Sequence, residues 1–239
     1  MKHLFAFIIV MGSILVNAQT GVTYKKLAWG IRFAPGLSYR SLHFGQSQQQ
    51  LEQVRNKQES AAFGFSAGLQ FLRGINDKSA IEGGIAFSNS GYRIAKAQLS
   101  WEQPNPALPT EATFSYRYQH IHLNAGYRCE LFGSKMKVYV APSLYGGILI
   151  QRKTIVKTFG SDDTDRSISK TRGGYREGDF GLQFAAGVAF RLPSRLMLSL
   201  QPYYRRSFTS ILPGASDREY LYAFGLETQL HRLRIKKHN

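Results

Sequence analysis

The chain is poor in three things. It has a single cysteine, Cys129, among 239 residues. No internal disulfide can form, and since the thiol does not sit at the expected mature N-terminus, a lipoprotein anchor is not expected. It is short of acids: 15 Asp and Glu stand against 31 Lys and Arg, a formal net charge of +16. Beyond its opening segment it also lacks any run approaching the ~18 consecutive apolar residues of a membrane-spanning helix. That opening segment is itself informative. Met1 and Lys2 lead into an apolar stretch from Leu4 to Val16, and Val16-Asn17-Ala18 sets small residues ahead of Gln19. This is the pattern of a secretory signal and its peptidase site, so residues 1–18 are expected to be a cleaved signal peptide and 19–239 a single exported domain.

What the chain does have is alternation. Trp29, Ile31, Phe33, Leu37 and Tyr39 share one parity, against Gly30, Arg32, Ala34, Gly36, Ser38 and Arg40 on the other. A period of two marks a strand with one apolar face. The pattern recurs around 63–71, 81–88, 120–127, 138–150, 180–190, 196–205 and 220–230, which predicts eight strands. The face opposite the apolar one is mostly Gly, Ser, Ala and Gln, with aromatic residues and scattered ionisable groups: Arg32, Arg40, Glu82, His120, His122 and Glu227. A soluble barrel of lipocalin type would turn that face to water and crowd it with Lys and Glu. It would also carry Gly-x-Trp, whereas here Trp29 precedes Gly30. Small residues suit instead the filled lumen of a narrow barrel, and those six side chains are expected to face it.

The connections alternate in length. Ser41 to Ser60, Gln98 to Glu111, Arg152 to Glu177 and the stretch around Pro213 to Asp217 are the long ones. Gly74 to Lys78, Phe132 to Lys135 and Leu192 to Arg195 are brief. Transmembrane barrels show this asymmetry, with short periplasmic turns, long outer loops and an even number of strands. The expected fold is therefore all-β, an eight-stranded antiparallel up-and-down transmembrane β-barrel in the outer membrane of a Gram-negative bacterium. A hairpin hidden in the first or third long connection would raise the count to ten. Tyr and Trp near strand ends, such as Trp29, Tyr127 and Tyr204, fit interfacial girdles.

Several segments also carry a resemblance. Val138-Tyr139-Val140-Ala141-Pro142-Ser143-Leu144, Gly178-Asp179-Phe180-Gly181-Leu182 and Ala186-Gly187-Val188-Ala189-Phe190-Arg191, with Tyr118, Ile121 and Leu123, are of this kind. They resemble the outer-membrane β-barrel family of Bacteroidetes that includes the PorT-like proteins, over Leu27 to about Leu230. The resemblance implies a barrel associated with type IX secretion and gliding, with secretion-machinery proteins as partners. The chain departs from that family at His120 and His122, where an acid and a proline are frequent. It departs again at the end of the last strand, which runs on into a basic tail from Leu230 to Asn239 instead of stopping at an aromatic residue.

Chemistry is sparse. His120-x-His122 puts two imidazoles on one strand face, a spacing that can bind a metal or set up a base. Ser115 or Ser143 beside them would need an acid that the sequence does not place. The plainer expectation is two lumen histidines hydrogen-bonded to Tyr116, Tyr118 or Asn124, with no catalytic set, metal or cofactor. Asp162, Asp163 and Asp165 lack the glycine and distal glutamate of a calcium loop. Basic residues offer a better lead. Lys153, Lys157, Arg166, Lys170, Arg172 and Arg176 lie in the third long connection, and Arg205 with Arg206 opens the fourth. On an outer face they can pair with lipopolysaccharide phosphates; export argues against nucleic acid as the partner of so basic a chain. The expected role is non-enzymatic: structural, adhesive or accessory to secretion. The alternatives are a lipid-modifying or proteolytic barrel, and a soluble exported ligand-binding barrel.

Overall fold

Alternation sets the strands, and pairing closes them. The computed structural model describes residues 27–43, 55, 58–101, 108–133, 136–160, 164–171, 173–192, 195–212 and 218–233. The first eighteen residues, with the expected signal peptide, lie outside them. Among these residues, nine antiparallel strands run in chain order: β1 (Leu27–His43), β2 (Glu59–Gly74), β3 (Ser79–Gln98), β4 (Glu111–Phe132), β5 (Met136–Phe159), β6 (Thr164–Thr171), β7 (Gly178–Leu192), β8 (Leu196–Ser207) and β9 (Arg218–Leu233). Each pairs with its chain neighbours except around β6. β5 pairs with β4 along its length, with β7 over its first part and with β6 over its last part. The β1–β9 pairing closes the ring. The ring thus contains the eight strands expected from sequence. The ninth, β6, folds back on the end of β5 within the third long connection, as an extra hairpin arm outside the ring.

The short connections sit at one end. In the first, Ile75 N–H donates to the Ser79 carbonyl at 2.9 Å, while Asn76 Oδ1 accepts from Lys78 N at 2.9 Å and Ser79 Oγ at 2.7 Å. Asn in such a turn substitutes its side chain for backbone. The second passes through Gly133 at φ 110°, a conformation that only glycine adopts without strain. At the opposite end the strands overrun. A membrane-crossing strand needs roughly 9–11 residues, whereas β4 has 22 and β5 has 24. With β3 and β6 they form a sheet that stands beyond the ring at the long-loop end.

Burial is inverted relative to a water-soluble protein. Ile31 is 59% exposed, Leu123 64% and Ile148 61%, while Arg32, Gln70, Arg128 and Glu227 are 3% or less exposed inside the ring. Large apolar side chains cannot be left in water in such numbers, so the outer belt faces hydrocarbon. No helix among the described residues is long and apolar enough to cross a membrane, and here it is the strands that cross.

Candidate functional site

The interior is filled in layers. At the short-turn end, Ala28, Leu72, Ala80, Ala141, Ala185, Ala189 and Met197 form an apolar layer with Tyr139. Above it lies a polar network. Arg128 donates to Glu82 at 3.0 Å, Gln229 at 2.6 Å and Ser199 at 3.3 Å, and its guanidinium sits 4.0 Å from the Tyr139 ring centre. Glu227 accepts from Gln183 at 3.2 Å and Gln229 at 2.6 Å, and Tyr139 donates to Gln201 at 2.8 Å. Arg32 donates to Ser66 at 3.3 Å. Buried charges persist when paired and hydrogen-bonded; Arg128 meets that condition on Glu82, whereas Arg32 holds only Ser66, and the Nε atoms of both arginines lack a partner.

At the long-loop end a second buried group caps the interior. Arg40 makes a two-point contact with Glu59 and donates to Glu219 at 2.6 Å, lying 3.8 Å over the Tyr92 ring. Nearby, the Arg152 guanidinium packs 4.7 Å from Tyr116 and 4.2 Å from Tyr175. A bulge on β5 brings Arg152 inward: Gln119 faces Gln151 but the next residue, His120, faces Leu149.

Between these layers sit the histidines. His120 and His122 are both buried, with rings stacked 5.1 Å apart. The partners of His122 differ from the expected tyrosines and Asn124, and His120 Nδ1 has none. His122 Nδ1 lies 3.0 Å from Ser88 Oγ on β3, and its Nε2 lies 3.2 Å from Asp179 Oδ2 on β7. Register explains this meeting. Gly147 on β5 stands opposite His122 on one side and Asp179 on the other. A Cβ at Gly147 would collide with the His122 ring, so only glycine lets the imidazole reach across β5. Asp179 is held from behind by Ser207 Oγ at 2.5 Å and Thr209 Oγ1 at 3.2 Å. The acid missing from the sequence reading was visible as a residue but not as a partner, because its link to His122 runs through two strand registers.

Hydroxyl, imidazole and carboxylate in a row invite a hydrolase reading. Ser88, however, is 2% exposed, and the cavity beside it is about 20 Å³, too small for an acyl or peptide substrate. The arrangement can hold a proton or an ion; it cannot admit a substrate.

The basic residues divide by position. Arg205 differs from the loop placement expected for it. It lies within β8, its guanidinium 4.5 Å over Tyr145 inside the ring, donating to Gln183 at 3.3 Å and lying 3.4 Å from His122 Nδ1. Strand alternation turns Arg205 inward and Arg206 outward. Arg172 lies outside the described residues. Arg176 is exposed and lines an open cavity of about 400 Å³ with Arg218 and Tyr220. Lys153, Lys157, Arg166 and Lys170 stand on the β5–β6 hairpin, where Lys153 faces Lys170 and Lys157 faces Arg166. The same rows continue onto β4 and β3: Arg117 stands opposite Lys153, and Arg93 opposite Ser115. Arg93 and Arg117 escaped the sequence reading, since only cross-strand register shows that they join this face. Alternation along β4 puts Arg117 on the same side as Ile121 and Leu123, so the basic face continues directly from the apolar belt.

A closed ring with an apolar exterior, a hydrogen-bonded polar interior and long strands at one end defines a transmembrane β-barrel. Residues 17–212 match the family model for the outer membrane protein beta-barrel domain, and the chain belongs to that family. No curated protein matches the chain in sequence. Among solved structures it is similar to OprG from Pseudomonas aeruginosa, at 13% identity over 87% of this chain and 97% of that one, TM-score 0.40. It is similar also to Neisserial surface protein A, at 13% identity over 84% and 95%, TM-score 0.39. A third is Ail, the attachment invasion locus protein of Yersinia pestis, at 12% identity over 86% and 99%, TM-score 0.35, solved with the heparin analogue sucrose octasulfate.

Proposed function

We propose that this outer-membrane barrel is a non-enzymatic envelope protein whose working surface is the basic face at its long-loop end, and that this face holds lipopolysaccharide phosphates. The observation that carries the reading is the register of like charges. Lys153 opposes Lys170 and Lys157 opposes Arg166, with Ile155 and Ile168 paired between them. Like charges directly opposed on one sheet face repel, and a bound anion relieves that cost. The face lies just beyond the apolar belt, at the level where lipid headgroups begin, and Arg93 and Arg117 point the same way, whereas Arg206 points outward from β8 on the far side of the ring. A filled lumen supports a structural, adhesive or secretion-accessory role over a pore. The PorT-like resemblance favours the secretion arm of that role, with machinery proteins as further partners.

The test uses the folded full chain in detergent, presented with lipopolysaccharide over a salt series. Replacing Lys153, Lys157, Arg166 and Lys170 together by Gln is expected to weaken retention at least tenfold, because each cation near an anionic lipid surface contributes about 1 kcal/mol. It should also flatten the salt dependence. Equal retention by the variant removes the proposal. Deletion of the gene, scored for envelope integrity, adhesion and protein secretion, separates the three roles.

A further inference from the structure

We propose that His120, His122 and Asp179 bind one divalent first-row transition ion of the Zn²⁺ kind inside the barrel, tying β4 to β7 across β5. The three residues each offer one ligand atom, and these atoms lie within 4.8 Å of one another. Two imidazoles and one carboxylate suit Zn²⁺, Co²⁺ or Ni²⁺, with a water completing the shell. Magnesium and calcium, which prefer all-oxygen shells, are poorly served by this set.

Two independent observations point to a ligand. His120 is 4% exposed, and its Nδ1 has no hydrogen-bond partner. A buried, unpartnered imidazole nitrogen is costly, and a metal bond satisfies it. A void of about 10 Å³ touches both His120 and Asp179, the size of a single water or ion. The supporting groups fit as well. A histidine bound through Nε2 must carry its proton on Nδ1, and Ser88 Oγ lies 3.0 Å from His122 Nδ1, placed to accept it. Ser207 and Thr209 occupy the second oxygen of Asp179, leaving Oδ2 for the ion. Two opposing charges are near: Arg176, which lines the same void, and Arg205, 3.4 Å from His122 Nδ1. Arg205 is engaged by Gln183 and Tyr145, and it opposes the ion by charge without supplying a competing ligand atom.

The folded full chain in detergent is titrated with Co²⁺, whose visible absorption reports coordination by nitrogen and oxygen. Saturation at one equivalent per barrel, reversed by Zn²⁺, is the expected result, with Zn²⁺ raising the unfolding temperature of the wild-type protein. Asp179→Asn and His120→Gln should each lose the saturable spectrum and the thermal shift while keeping the cold-against-boiled mobility change of a folded barrel. Since either ligand change could disturb folding, Ser88→Ala is the second arm. It leaves all three ligands in place and is expected to weaken Co²⁺ binding about 10–100-fold. His231→Gln, at a buried histidine remote from the cluster, should bind like wild type. No saturable Co²⁺ spectrum in the wild-type barrel overturns the proposal, and so does binding unchanged in all three cluster variants.

Discussion

Arg128 and Lys170 are both cations on strands of the same barrel, and they live under opposite rules. Arg128 is 1% exposed and has three hydrogen-bond partners and an aromatic ring around it. Lys170 stands in an exposed strand directly across from another lysine. Inside the ring, an unpaired charge has no water to turn to, so every neighbour is recruited to neutralise it. Beyond the ring, water screens the repulsion and the charges stay available to an outside partner. The interior network therefore reads as structure, and the hairpin as the surface on which the proposed lipopolysaccharide contact rests.

Four substitutions test that division, in order of decreasing effect. Arg128→Ala strands Glu82 in the interior and should cost about 3–5 kcal/mol, as breaking one partner of a buried pair does; urea unfolding followed by tryptophan fluorescence measures it. A midpoint unchanged by the substitution would mean that water already fills that layer. Leu123→Arg puts a charge in the outer belt and should cost about 2–4 kcal/mol in a lipid bilayer if the site lies near midplane. In a barrel surrounded by water the same change would cost almost nothing, so unfolding from vesicles discriminates sharply. Gly147→Ala drives a methyl group into the His122 ring and should cost about 1–3 kcal/mol, read as an earlier loss of the folded band on heating. Lys96→Ala removes an exposed ion pair to Glu111 at 2.8 Å and should cost only about 0.2–1 kcal/mol. A larger loss there would show that the overrunning sheet is stiffer than its exposure implies.

The ring strands were legible because lipid outside and a crowded lumen inside impose strict period two. Ile121 and Leu123 against His120 and His122 is enough to show it. Arg205 was legible too, by its parity in the seventh run, although its place beside Arg206 drew it toward the loops. β6 was not. Thr164-Asp165-Arg166-Ser167-Ile168-Ser169-Lys170-Thr171 is exposed along its length, so no hydrocarbon demands an apolar face, and the segment reads as a polar loop. The alternative of ten strands needed a hairpin hidden in the first or third long connection; among the described residues the third does hold a hairpin, but one of its arms is an overrun of β5, so the strands number nine.

The sequence by itself determined the class of the protein, because the alternation of apolar and small residues is a local property that survives without any knowledge of partners. It also determined which end carries the long connections. What only the tertiary structure decided is who meets whom. Asp179 reaches His122 because Gly147 aligns both through separate pairings, and Arg93, Arg117, Lys153 and Lys170 share a face because three registers coincide. Register sums the choices of every turn and bulge along the chain, and no single stretch of residues contains it.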